Sequence, residues 1–441
     1  MRHLDEARQN TIEALASFLK TKPSRWRVLL VEDSLAMFRL VLWCSSGDWD
    51  AATKDLDQIL RHSAGAFWSG SILRGLKETE LPDGPWQHQA WQQSIDAVED
   101  LTNLRVVGRH RAKTGWFEAP ERPPWKLRKN EPAIVLYYSF KGGVGRSTSL
   151  VATALRFASA GERVVVIDAD FDAPGVGRLL GGDGAVLSAW GVVDYLLERP
   201  ILDEMGGENP ELEDYYHRCP PSLIPGAGEI LVFPAGAFNE RYLEKLARLD
   251  YGPRRGGSEH PFEMLLAQIR SELEPQWILI DARAGLGDVA GFLTGGLCHL
   301  HVILGTFSEP SWRGIELLLD RLGADRVRRG ETQSECVLVQ AMVPRSDELR
   351  FQEAVRQFTD RARDAFTDHY YADTGDEFWT LDDLESADAP HVPTVLKYDE
   401  RLAHFRELSD VAAVLRDEEK EYRDLAARVQ SAVRRLKESV P

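Results

Sequence analysis

Between an apolar run, Ala133 to Tyr138, and a stretch of helical pattern, Ser149 to Ala160, lie Ser139-Phe140-Lys141-Gly142-Gly143-Val144-Gly145-Arg146-Ser147-Thr148. A glycine-rich turn from a strand into a helix aims several backbone N–H groups and the positive end of the helix dipole at one point, an arrangement that holds phosphate. The common loop pattern G-x-x-x-x-G-K-S/T fails twice, because Phe140 stands at its first glycine and Arg146 at its lysine. A second apolar run, Arg163 to Ile167, ends in Asp168-Ala169-Asp170-Phe171-Asp172, and a third, Trp277 to Ile280, ends in Asp281. Carboxylates at the C-terminal ends of strands face the crevice where open α/β sheets bind ligands. Asp281 there suits Mg²⁺ held through water, beside the hydroxyl of Ser147, because Mg²⁺ prefers oxygen and keeps several waters. Asp168 reads either as a cap of its loop or as an organiser of Mg²⁺-bound water, and Asp172 as a turn residue.

The loop resembles the deviant Walker A sequence, Lys-Gly-Gly-x-Gly-Lys-Ser/Thr, of the ParA and MinD family of dimerising SIMIBI-class P-loop ATPases. Its KGGVGR form is similar to a variant branch of that family, some members of which are associated with prokaryotic conflict or antiviral defence systems. The resemblance implies ATP and Mg²⁺ as ligands, with Lys141, Gly142, Gly143, Val144, Gly145, Arg146, Ser147 and Thr148 around the nucleotide. It makes Lys141 the signature lysine that reaches across a two-fold interface to phosphates bound by the other subunit, and it puts Arg146 where the family has the P-loop lysine. Asp168 to Gly175 looks like the first switch segment, in which Asp170 orients the attacking water. Asp281-Ala282-Arg283-Ala284-Gly285 resembles the second; Arg283 there is open between an exposed switch arginine and a phosphate sensor. Thr306 to Ser311 is similar to a Thr-x-Pro-Glu loop, Gln340 stands near the family's adenine contact, and Pro393 to Asp399 resembles the last strand and base-side loop. The likeness covers residues 131–441 and implies nothing for residues 1–130.

The departure at Arg146 bears on activity. A guanidinium is always charged and forks onto phosphate oxygens, but it is bulkier than an ammonium and places its charge differently. Binding is expected to survive better than turnover, which gives a slow Mg²⁺-dependent ATPase with Lys141, Asp170 and Arg146 as its catalytic set. Two other readings stay open: a nucleotide-loaded pseudo-ATPase scaffold, and a DNA-partitioning ATPase of the ParA type.

The elements that must position these residues follow from periodicity. Further strand-sized apolar runs occur at Glu229–Phe233, Trp277–Ile280, His301–Gly305, Val337–Gln340 and Pro393–Leu396, mostly separated by helical stretches. Such alternation predicts an α/β fold: a mostly parallel P-loop NTPase sheet covered by helices on both faces. Eight of the twelve tryptophans precede residue 130. There Ile12–Leu19, Leu35–Trp43 and Trp49–Leu60 show helical spacing, so a smaller, mainly helical domain is expected over 1–118, a Pro-rich basic linker over 119–130, and the ATPase domain over 131–441. The tryptophans read as packing residues, with a partner surface as the alternative.

Net charge is −17 overall, while residues 1–130 hold 19 basic and 17 acidic side chains. The remainder is therefore strongly acidic and repels a phosphate backbone. Any nucleic-acid contact is confined to residues 105–129, where Arg105, Arg109, Arg111, Lys113 and Lys126 interleave with Trp116 and Phe117. No apolar run approaches the roughly 20 residues that span a bilayer, and the four cysteines form no C-x-x-C pair. The composition predicts a cytoplasmic protein. The C-terminal amphipathic stretch, Val411–Leu436, mixes Arg with Asp and Glu on its polar face, so it is expected to pack on the sheet and not to bind membrane. The expected partners are ATP, a second copy of the chain in a nucleotide-dependent homodimer, and a protein contacted through the N-terminal domain.

Overall fold

Aliphatic and β-branched runs set the strands of this chain, and the parity of each run decides whether one or both faces must be covered. The computed structural model describes all residues except 1–2, 76–85, 93, 99–100, 111, 118–121, 182–187, 208, 252–258, 330–334, 346–347, 372–383, 419 and 440–441. Arg111 and residues 118–121 of the expected connector thus lie outside the described residues. Two compact units divide the chain, Met1–Ala112 and Lys113–Pro441. The described part of the expected linker belongs to the second unit, where Trp125 and Leu127 are buried and the Trp125 indole donates to Pro132 O.

The first unit holds helices Leu4–Lys20, Trp49–Ser63 and Trp86–Gln92 around strands β1 (Arg27–Glu32), β2 (Phe38–Trp43), β3 (Trp68–Arg74), β4 (Ile95–Asp96) and β5 (Leu104–Gly108), ordered β3-β2-β1-β5-β4. Helical residues outnumber strand residues in this unit, yet a sheet organises its core. The helical expectation for Leu35–Trp43 is corrected: Phe38–Trp43 is a strand paired antiparallel with β1. Phe38, Leu40 and Leu42 face one core and Val41 the other, so burial on both faces masks the period of two. The Asp33 carboxylate closes the hairpin by accepting from the amides of Leu35 at 2.9 Å and Met37 at 3.0 Å. Trp26 and Trp68 are buried, whereas Trp86 is exposed.

In the second unit β6 (Ala133–Ser139), β7 (Arg163–Ala169), β8 (His217–Arg218), β9 (Glu229–Phe233), β10 (Trp277–Ala282), β11 (Leu300–Gly305), β12 (Glu335–Val343) and β13 (Thr394–Lys397) form one sheet ordered β13-β12-β11-β6-β10-β7-β9-β8. All neighbours are parallel except β8 and β9. Along β6, Ile134, Leu136 and Tyr138 enter one core while Ala133, Val135 and Tyr137 enter the other. Helices Arg146–Ser159 and Lys420–Ser439 cover the second of these faces, and Val192–Glu204, Pro261–Leu273, Glu309–Arg329 and Glu348–His369 cover the first. The C-terminal stretch therefore packs on the sheet, with Leu425 and Val429 fully buried. Among the described residues no helix is long and apolar enough to cross a membrane.

Truncating Leu425 to Ala removes a fully buried side chain between that helix and the sheet. The expected cost is about 2–5 kcal/mol, read as a lower denaturant midpoint in equilibrium unfolding.

Candidate functional site

The loop after β6 turns into the helix Arg146–Ser159 through Gly143 at φ 74° and Gly145 at φ 83°. Side chains are strained at such angles, so glycine is required at both. A Cβ added at Gly142, Gly143 or Gly145 would enter open space, so the turn arches over a cradle lined by backbone. This cradle is one end of a cleft of about 570 Å³ at the C-terminal ends of the strands, where an open α/β sheet binds its ligand. Residues 142–148, Asp170 and Arg283 line one side, and Met342, Lys397, Tyr398 and Asp399 line the other.

Arg146 opens the helix and is only 9% exposed. Its Nε donates to Asp281 Oδ1 at 2.6 Å and its Nη2 to Asp170 Oδ2 at 2.7 Å, so one planar fork ties the end of β10 to the residue after β7. The Ser147 hydroxyl donates to the other Asp281 oxygen at 2.6 Å. Burial pushes the Asp281 carboxyl up from its ordinary range while Arg146 pulls it back. The guanidinium stays charged, so Asp281 is the member of the pair able to change charge.

Asp168 resolves differently. It is buried, and its oxygens accept from the amides of Asp170, Gly175 and Gly177 at 3.3, 3.0 and 3.1 Å, which closes the loop Asp170–Gly175. It does not line the cleft. Of its two expected roles, these hydrogen bonds form the cap. Burial first, then the neighbouring Asp281 charge, push it up to about 7.

Lys141 is exposed and also stands outside the lining of its own cleft, with its ammonium 5.6 Å from the Phe140 ring centroid. The Phe140 ring is wedged against Gly314, where an added Cβ would lie 1.9 Å from Phe140 Cγ. The aromatic residue that breaks the common loop pattern thus anchors the loop to the helix Glu309–Arg329.

The two acidic segments are pinned by tyrosines. Tyr138 Oη donates to Gly285 O at 3.1 Å, the Gly285 amide donates to Ser139 O at 3.1 Å, and Tyr242 Oη donates to Phe171 O at 2.9 Å. Arg283 pairs with Asp172, joining the segments to each other. Asp172 is therefore half of an ion pair and more than a turn residue.

On the far side of the cleft Gln340 is not present. It is buried and donates from Nε2 to Ala354 O at 3.2 Å, beneath the helix Glu348–His369, which corrects its placement at the base. Met342 lines the cleft instead, at φ 60° in an irregularity of the β12–β13 pairing. A register shift between Gln340 and Val343 has no local signature in the sequence, so Met342 was not legible there; Leu402 and Tyr422 reach the cleft from distant helices. The segment Leu396 to Asp399 lines the cleft. Asp399 is held low, at about 2, first by its hydrogen bond from Arg401. The Thr306 loop closes on itself, Thr306 N donating to Ser311 Oγ at 3.0 Å, and does not line the cleft.

The site suits a polyphosphate: backbone amides, a helix start and an open cradle stand together. Ser147 and Asp281 offer the hard oxygens that Mg²⁺ takes. Among the described residues no group of three or more His, Cys, Asp or Glu could hold a metal, so an ion here would complete its shell with phosphate and water.

Residues 131–196 match a family model described as ParA, NUBPL iron-transfer P-loop NTPase. A putative septum site-determining protein MinD of Oltmannsiellopsis viridis is 37% identical over 70 residues, which is 16% of this chain and 22% of that protein. An iron-sulfur cluster carrier protein of Helicobacter pylori is 36% identical over 64 residues, 14% of this chain and 17% of the carrier. The matches thus span about a fifth of the curated relatives' own lengths. A ParA family ATPase from Chlorobium tepidum superposes with a TM-score of 0.43 at 17% identity, covering 68% of this chain and 99% of that one.

Two outcomes are expected. Arg146→Ala leaves two buried carboxylates facing each other, and removing one partner of such a network costs about 3–5 kcal/mol, measurable by urea unfolding. Asp168 has a folded-state value of about 7 against an ordinary 3.8. The folded chain therefore holds that proton more tightly, and the contribution of Asp168 to stability falls as pH rises between those values. Asp168→Asn should flatten the pH dependence of the unfolding midpoint across that window.

Proposed function

Because residues 131–196 make this chain a member of the ParA/MinD-like P-loop ATPases, we propose that it is an ATP-dependent molecular switch. Two copies close over two Mg·ATP, Lys141 of each completing the other's site; hydrolysis reopens the pair, and the N-terminal unit reports the state to a protein partner. The observation that carries this reading is the placement of Lys141, exposed and outside its own cleft. A cation at the mouth of a phosphate cradle that does not serve that cradle is suited to serve a second one.

The remaining roles follow from the geometry. Amides of residues 142–148 hold the phosphates, and the side of the cleft at Met342, Tyr398 and Tyr422 takes the base. Ser147 and, through water, Asp281 would hold Mg²⁺, which when bound would supply charge neutralisation for the transferring phosphoryl group. Asp170 orients the attacking water, a task in which positioning dominates. Arg146 fixes Asp170 and Asp281 relative to each other through its Nε and Nη2. A guanidinium committed to both acids stands where the compact lysine ammonium would place its charge on phosphate, so turnover is slow. The same pairing favours a second reading, a nucleotide-loaded scaffold in which Asp170 is never freed to position water.

A DNA-partitioning role is less well supported. The acidic second unit repels phosphate; Arg105 pairs with Asp96 in the first unit, and Lys113 and Trp116 are tied to carbonyls of the second. Carriage of an iron–sulfur cluster, as named for one relative, would call for accessible paired thiols, and Cys219, Cys298 and Cys336 are buried. A defence setting rests on the KGGVGR likeness alone.

Light scattering tests the proposal. The chain should be monomeric without nucleotide and dimeric with Mg·ATP, and Lys141→Ala should stay monomeric. A mass that never changes would refute the switch. Phosphate release should be slow but fall by at least about a hundredfold in Asp170→Ala; equal rates in the two proteins would select the scaffold.

A further inference from the structure

Residues Lys113–Phe117 begin the second unit directly after Ala112, the last residue of the first. They make one short turn, closed by Trp116 N donating to Lys113 O at 2.9 Å, with Lys113 held at φ 65°. A non-glycine residue in that left-handed region persists only where its surroundings enforce it. What enforces it here is the second acidic segment. Lys113 Nζ donates to Leu286 O at 2.6 Å and Trp116 Nε1 donates to Gly287 O at 2.8 Å.

The contact is built from both sides. An added Cβ at Gly115 would lie 2.2 Å from Asp288 O, and one at Gly291 would lie 2.4 Å from the Trp116 ring. Two glycines, one in each partner, therefore allow the approach. Arg321 locks it from above, with its guanidinium 4.9 Å from the Trp116 ring centroid and Nη2 donating to Gly115 O at 3.2 Å.

Leu286 and Gly287 lie just beyond Arg283, which lines the nucleotide cleft and pairs with Asp172. Gly287 leaves room for the Arg283 stem, since a Cβ there would lie 3.2 Å from Arg283 Cδ. Any movement of residues 281–285 would therefore bear on 286–288 and, through the two hydrogen bonds, on 113–116. Lys113 and Phe117 are exposed while Gly115 is buried and Trp116 half-buried against the core, so the segment lies at the surface and is held by close packing at its middle together with its two donated hydrogen bonds.

We propose that residues 113–117 are a strap that positions the second switch segment and couples the nucleotide site to the N-terminal unit, with Lys113 and Trp116 as positioning residues. This rests on the reading of the chain as a nucleotide switch.

Hydrogen exchange on the full chain, with and without Mg·ATP, tests it. In the unaltered protein, nucleotide should change exchange at 141–148, 283–288 and 113–117 together. Trp116→Phe keeps a ring but loses the donor, and Lys113→Met loses the other. Each should leave the KM for ATP within about twofold, lower kcat by about two- to tenfold, and raise exchange at 286–292 by a similar factor. Nucleotide should then still protect 141–148 without altering 113–117. Strand β6 serves as the folding control; should Trp116→Phe fail it, the surface change Lys113→Met decides. Protection of 141–148 and 283–288 with 113–117 unmoved in the unaltered protein overturns the strap alone, as do variants with unchanged coupling and kcat. No protection at 141–148 overturns the switch itself, and the strap with it.

Discussion

The second unit is organised around one buried arginine. Arg146 stands at the start of a helix, on the first residue after a glycine-rich turn, and its fork spans two carboxylates that arrive at the ends of different strands. A charge removed from water must be matched closely, or the fold forfeits more than the pair returns. The match here demands that β6, β7 and β10 lie side by side in register, which they do, with Asp281 beside Tyr137 on one flank and Asp168 on the other. The turn geometry, the strand register and the positions of Ser147 and Asp170 are all conditions of that one pairing. A lysine at the same place would carry a compact charge with three rotating donors and would lack the rigid fork that fixes both acids in one plane.

Around this centre the chain uses donated hydrogen bonds to hold its two acidic segments. Tyr138 and Tyr242 each reach a backbone carbonyl, and Lys113 and Trp116 reach two more. Single hydrogen bonds of this kind contribute about 0.5–1.5 kcal/mol net, enough to set a preferred position and little enough to be exchanged for contacts with phosphate. The segments are therefore fixed without being welded, which suits the proposed switching role.

Much of this was legible in the sequence, for identifiable reasons. Strands buried on both faces announce themselves as unbroken apolar runs, and the acids that end them were found because the crevice lies at those ends. The same two-sided burial hid β2, whose Leu-Val-Leu core passes for helical spacing when the alternation is filled in. The partners of Arg146 were beyond reach, because they depend on which strands are neighbours. Met342 was hidden by a register shift, whereas Gln340, still paired with Val395, turns its amide to Ala354 O beneath the helix Glu348–His369. Trp116 looked like one aromatic in a basic run; only the fold shows its indole spent on Gly287 and its face on Arg321.

Phe140 and Gly314 carry a consequence for how such a loop can change over time. The ring fills the space that the absent side chain of Gly314 leaves, so each residue is tolerated because of the other. A return to the common loop would put glycine at 140 and open a void, and any enlargement at 314 would collide with the ring. Effects at touching positions do not add, so descendants reach the ordinary sequence only through a less stable ancestor or by two changes at once. The unusual loop is in that sense held in place by a helix far away in sequence, and lineages carrying it are expected to diverge around it while keeping the pair.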